Sequence, residues 1–281
     1  MALIKLVLLA ALAMTAFAAN SLLCRMALVE TDIDPASFTF WRLTSGALML
    51  TLLVVMRNRK PLQEGNMASA IALFVYAAGF SFAYISMTTG AGALLLFGAV
   101  QVTMISWGLF KGERMSALQW GGFLLALVGL ILLLLPNAAV PQLSSALMML
   151  AAGIAWGVYS LKGKGAKFPI EATAGNFIRA TPLALVLLVI FWPGGELHAE
   201  GIAYAVASGA IASALGYALW YSILVHIAAI KAATLQLSVP VLAVFAGWLF
   251  LDETVTLRII LSSLAVIGGV AMVIWVKKLD P

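Results

Sequence analysis

Long apolar runs, each ended by a charge, a proline or a glycine, recur along the entire chain and constrain it more than any motif does. Leu124 to Leu135 is one such run, and nothing in it alternates, whereas a strand of a membrane barrel alternates apolar and polar residues over about ten positions. Only helices and closed barrels span a bilayer, so the runs predict an all-α integral membrane protein. Their boundaries place ten transmembrane helices at 3–25, 35–56, 67–88, 91–110, 116–135, 143–161, 172–192, 201–223, 231–250 and 256–276. At about 20 residues per span, the ten leave no room in 281 residues for a soluble domain. Composition agrees: 64% of the residues are hydrophobic and 10% charged, against about 45–50% and 25% in soluble domains.

A single cysteine, Cys24, excludes an intrachain disulfide framework or a thiolate metal cluster. The net charge of +5 arises from basic residues that flank apolar runs, which points to membrane topology and away from nucleic acid. Met1 to Ala18 has the outline of a cleavable signal peptide, but the segment has a counterpart in the second half of the chain and is read as the first span. With the N-terminus in the cytoplasm, twelve of the sixteen basic residues fall on the cytoplasmic side, at Lys5, Arg57, Arg59, Lys60, Lys111, Arg114, Lys162, Lys164, Lys167, Lys231, Lys277 and Lys278. The outer loops carry Glu30, Asp32, Asp34, Glu196, Glu200, Asp252 and Glu253. Both termini are therefore expected in the cytoplasm.

The sequence repeats itself weakly. Phe17-Ala-Ala-Asn20-Ser-Leu lies opposite Trp156-Gly-Val-Tyr159-Ser-Leu at an offset of 139, and Phe40-Trp-Arg42 opposite Phe177-Ile-Arg179 at 137. Gly79-Phe80 and Tyr84 meet Gly216-Tyr217 and Tyr221 at 137; Leu109-Phe110, Glu113 and Gly129 meet Leu249-Phe250, Glu253 and Gly269 at 140. Five spans per half, an odd number, make the second half (139–281) inverted relative to the first (1–138). Inverted repeats are a mark of secondary transporters, with the substrate near the midplane. The runs Phe110-Lys-Gly-Glu113-Arg-Met-Ser116 with Gly121 and Gly129, Leu251-Asp-Glu253-Thr-Val-Thr256, and Trp156-Gly157, on this inverted plan, resemble the EamA family of the drug/metabolite transporter (DMT) superfamily. General likeness is greatest to the YddG-type aromatic amino-acid exporters of bacterial inner membranes. The resemblance implies export through a central cavity lined by helices 1–4 and 6–9, with 5 and 10 peripheral. Pro240 in the ninth span fits the family's habit, while its counterpart Val100 in the fourth does not, so unequal bending of the halves is expected.

Periodicity supplies an independent list of lining residues. Tyr76, Phe80 and Tyr84 sit four apart in the third span, and Ser213, Tyr217 and Tyr221 four apart at matching places in the eighth, so each set shares a face. Such rings suit an aromatic ligand; packing between helices, or an interfacial belt for Tyr84 and Tyr221, is the alternative. Polar residues deep in hydrocarbon face protein or water, which adds Asn20 and Gln101. Trp156 and Tyr159 complete the expected lining, with Gln236 and Ser238 behind them. Interhelical hydrogen bonding is the competing role for Asn20 and Gln101. Arg42 and Arg179 lie roughly 10 Å into their helices; a structural role, snorkelling or capping carbonyls, is favoured over pairing with a substrate carboxylate. Gly153-xxx-Gly157 and Gly108-xxx-Gly112 read as close helix packing.

No phosphate loop, H-E-x-x-H or G-x-S-x-G occurs, so no enzyme and no cofactor or metal is expected. The partners are a small-molecule substrate and the lipid bilayer. All eleven acids fall at predicted span ends or in loops, which favours facilitated diffusion over proton-coupled antiport; a passive channel is the third reading. His226, at the end of the eighth span, is the best remaining proton site. In a Cys24→Ser background, cysteines at Asp32 and Glu196 are expected to react with an impermeant thiol reagent added outside intact cells, and cysteines at Asn58 and Lys164 to stay unlabelled; labelling at Lys164 contradicts the inverted arrangement.

Overall fold

A computed structural model describes residues 3–86, 89–134, 142–191, 194, 199–251 and 256–275. Glu196, His198, Asp252, Glu253, Lys277 and Lys278 lie outside the described residues. Among the described residues every regular element is helical: α1 Leu3–Glu30, α2 Pro35–Met56, α3 Met67–Ala83, α4 Thr89–Phe110, α5 Ala117–Leu134, α6 Leu143–Lys164, α7 Pro169–Ile190, α8 Ala199–Ala207, a π-helical segment Ser208–Leu215, α9 Gly216–Leu224, α10 Ala229–Gln236, α11 Ser238–Leu251 and α12 Leu257–Trp275. Among the described residues seven helical runs are long and apolar enough to cross a membrane: α1, α2, α6, α7, α12, the run Ala199–Leu224 and the run Ala229–Phe250. Met67–Ala83, Leu95–Phe110 and Ala117–Leu133 are shorter apolar helices.

Local chemistry explains the helix starts. Asp34 accepts from the N–H groups of Ala36 and Ser37 at 2.9 Å, with Pro35 at the first helical position of α2. Asn66 caps α3 through Ser69 N–H at 2.9 Å. Ser116 and Gln119 form a reciprocal capping box at the start of α5. The N-cap of α10 is Ala228, which has no capping side chain. Glu113, from the connection after α4, supplies one across 116 residues of sequence: its carboxylate accepts from Ala229 N–H at 2.8 Å and Ile230 N–H at 2.9 Å. Lys164 lies 3.6 Å from the same carboxylate.

The helix ends depart from the sequence expectation where a charge closes an apolar run. α1 continues through Arg25 to Glu30, because one charge does not interrupt backbone hydrogen bonding. The eighth predicted span contains the π segment. The ninth is interrupted at Leu237, where Pro240 has no N–H to return to the carbonyl four residues back. At the corresponding Val100, α4 is unbroken.

The principal contacts join the two halves of the chain rather than neighbours within one: α2 packs on α7 and the π segment, α3 and α4 on α6, α1 on α9 and α11, and α5 on α12. Small residues permit this closeness. A Cβ on Gly153 would stand 2.6 Å from the Leu96 carbonyl oxygen, and one on Gly129 2.9 Å from that of Ser262. Gly112 departs from its expected packing role, since it turns the chain at φ +83° and meets nothing. The outward surfaces are apolar, with Leu48 68% and Val189 71% exposed, as a lipid-facing surface requires.

Glu113→Ala removes the α10 cap and leaves two N–H groups unpaired. The expected cost is about 1–2 kcal/mol, seen as a lower thermal unfolding midpoint of the detergent-solubilised protein. An unchanged midpoint contradicts the capping role.

Candidate functional site

Helices from both halves bring a polar cluster and an aromatic cluster together. From α2, Arg42, 1% exposed, donates Nε–H to Ser213 Oγ at 3.2 Å and Nη2–H to the hydroxyls of Tyr76 (α3) and Tyr217 (α9), each at 3.3 Å. Its guanidinium carbon lies 5.2 Å from the Tyr76 ring centroid and 5.8 Å from that of Phe80, within cation–π range. Asn20 of α1 accepts through Oδ1 from Ser208 Oγ at 2.6 Å and Ser213 Oγ at 3.4 Å.

The π segment makes this possible. In an α-helix, residues five apart point about 140° away from each other, whereas i→i+5 winding stacks them. Ser208 and Ser213 therefore reach the same side-chain oxygen. Gly209 lets the segment lie flush on α2, since a Cβ there would meet the Arg42 carbonyl and Ser45 Oγ.

Trp156 of α6 sits at the centre of the rings, 4.9 Å from Tyr217, 5.0 Å from Tyr76, 5.3 Å from Phe17 and 5.9 Å from Tyr159 between centroids. Phe17 meets it edge-on at 90°, a favoured aromatic geometry. The Trp156 Nε1–H donates to Gln236 Oε1 at 2.6 Å. The rings touch one another directly.

Of the residues expected in the lining, Asn20, Tyr76, Phe80, Trp156, Tyr159 and Tyr217 come together here with Arg42. Tyr221 extends the cluster, its hydroxyl donating to the Tyr159 carbonyl at 3.2 Å and its ring 5.6 Å from Tyr159. Half-buried Tyr84 stacks edge-on against Phe80 at 4.8 Å. Gln101 instead binds α4 to α10, donating to the Ala233 carbonyl at 2.7 Å. Arg179 and His226 are elsewhere. Arg179 donates to the carbonyls of Glu64 at 2.9 Å, Gly175 at 3.0 Å and Leu62 at 3.3 Å, clamping the α2–α3 connection onto α7. His226 is exposed in the turn between α9 and α10. Phe17 and Ser208 were not singled out as lining by sequence; Phe17 is the repeat counterpart of the selected Trp156, which was the available signal.

The chain matches the model of the EamA-like transporter family twice, over residues 4–135 and 143–275. It is 53% identical to an uncharacterised protein of Pseudomonas aeruginosa over 95% of this chain and 93% of that protein. The uncharacterised transporter YoaV of Bacillus subtilis is 27% identical over 86% and 87%, and an uncharacterised transporter of Archaeoglobus fulgidus is 22% identical over 86% and 89%. A solved crystal structure shares the fold with a TM-score of 0.84 at 17% identity, covering 99% of this chain and all of that one. The chain thus belongs to the EamA-like transporter family of the DMT superfamily and is a multi-pass membrane protein.

Arg179→Met deletes three hydrogen bonds from a cation to carbonyls outside the cluster. An expected loss of about 1–3 kcal/mol lowers the unfolding midpoint while ligand affinity stays unchanged; weakened affinity with intact stability assigns Arg179 to the site instead.

Proposed function

We propose that this EamA-like transporter is a secondary carrier that exports small amphipathic metabolites, aromatic and other neutral amino acids foremost, by alternating access, as in the YddG-type exporters it resembles. The observation that carries the reading is the buried cluster of rings and hydroxyls around Arg42, built jointly by α1, α2, α3, α6, the π segment and α9. Aromatic faces offer contacts to a ring, and the hydroxyls and guanidinium offer contacts to a polar end.

The two family matches, one in each half, support a plan of two five-helix repeats, 1–138 and 139–281, inverted across ten spans. The meeting of Phe17 with Trp156 at 5.3 Å supports it further: they are counterparts at an offset of 139, and positions related by a two-fold axis touch only near that axis. A substrate site between repeats is the usual arrangement in such carriers. Its setting is the cytoplasmic membrane of a bacterium with both termini inside, in keeping with the distribution of basic residues.

Facilitated diffusion is favoured over proton coupling because the described acids, Glu30, Asp32, Asp34, Glu64, Glu113, Glu171 and Glu200, lie at helix ends or in connections, away from the cluster. Proton-coupled carriers use an ionisable group within the membrane.

Saturable flux with counterflow in proteoliposomes is the expected behaviour, and flux without saturation turns the assignment to a channel. A transmembrane pH step of one unit is expected to drive no accumulation of aromatic amino acid above equilibrium, and His226→Gln to leave flux nearly intact. Accumulation of up to about tenfold, the limit for one proton per substrate, abolished by a protonophore, overturns the uniport mechanism.

A further inference from the structure

Arg42 has more donors than partners. Nε and Nη2 are occupied by neutral hydroxyls at 3.2–3.3 Å, the long end of the hydrogen-bond range. Buried Nη1 has no hydrogen-bond partner among the described residues. Its repeat counterpart Arg179 makes the same number of hydrogen bonds, but sends them from Nη1 and Nη2 to three backbone carbonyls instead of hydroxyls.

Nor is a counter-ion found beside Arg42 among the described residues. The described acids stand at helix ends or in connections, and Glu196, Asp252, Glu253 and Asp280 fall between or beyond the apolar runs. The neighbouring Asn20 oxygen is already engaged by Ser208 and Ser213. A cation within a membrane segment ordinarily pairs with an anion or lines a substrate path, and Arg presents its donors in a fork matched to a carboxylate.

We propose that Arg42 is the anion-binding group of the central site: Nη1 takes the substrate's carboxylate while its ring lies among Trp156, Tyr76 and Tyr217. This rests on the carrier reading above and narrows its substrate class. Because the same surroundings offer an ammonium no carboxylate, the amino group of the substrate is dispensable. The site therefore accepts small aromatic carboxylates whether or not they carry an amine, and rejects aromatic amines that lack the acid.

Three probes that share a ring separate the charges: 3-phenylpropanoate, phenylalanine and 2-phenylethylamine, titrated calorimetrically into the full-length protein in detergent. 3-Phenylpropanoate is expected to bind at least as tightly as phenylalanine, and 2-phenylethylamine at least tenfold more weakly than either. Arg42→Gln is expected to weaken both carboxylates at least tenfold. Amine binding as tight as that of 3-phenylpropanoate, or carboxylate affinity within twofold of wild type in Arg42→Gln, overturns the assignment. If Arg42→Gln does not fold, the probe series on the wild-type protein decides alone. Binding of none of the three also overturns the assignment; if proteoliposomes then still show saturable flux of another solute, the carrier reading survives, and if they show flux of none, it fails as well.

Discussion

A guanidinium enclosed in a helical bundle that faces lipid is the constraint around which this molecule is arranged. Placing an Arg at the centre of a membrane helix costs about 2.5–3.5 kcal/mol on insertion scales and more by simulation. The surroundings of Arg42 reduce that cost with a ring face, two phenol hydroxyls and a serine. Those groups come from α3, the π segment and α9, so the position of α2 is tied to both halves at once. The π winding serves the same end: it turns Ser208 and Ser213 towards one asparagine oxygen and holds the backbone of α2 close enough for Gly209 to be required.

Much of the architecture was legible because a bilayer simplifies the grammar. Where every backbone polar group must be satisfied internally, an apolar run means a helix, and Asp34-Pro35, Asn66 and Ser116-xx-Gln119 mark where helices begin. The aromatic faces of the third and eighth spans were visible from four-residue spacing and do converge. Spacing was silent where winding itself changes. No proline or charge announces the π segment, and regular α-helical spacing would point Ser208 away from Ser213. Gln236 could be read only as a polar residue in a helix, since its bond to Trp156 joins positions 80 apart. The roles of Arg42 and Arg179 could not be separated from sequence, because depth along a helix does not say which carbonyls a neighbouring loop will offer.

Each half matches the family model, yet the two divide their duties. Arg179 spends its donors on the connection between α2 and α3, whereas Arg42 lies among rings. Pro240 interrupts one helix where Val100 leaves its counterpart continuous. The break before Pro240 and the π segment both place irregular backbone in the second half, so that half holds the elements whose hydrogen bonding is already incomplete and whose bending costs least.

The wiring across halves also has a bearing on how the chain is made. The partner of Arg42 at Ser213 lies 171 residues downstream, and that of Asn20 at Ser208 lies 188. At synthesis rates of roughly 5–20 residues per second, the early helices wait about 9–34 s before the first of these partners leaves the ribosome. Throughout that interval Tyr76 and Phe80 are the partners that the described first half offers the Arg42 charge, and insertion must retain it near water or headgroups until the second half arrives.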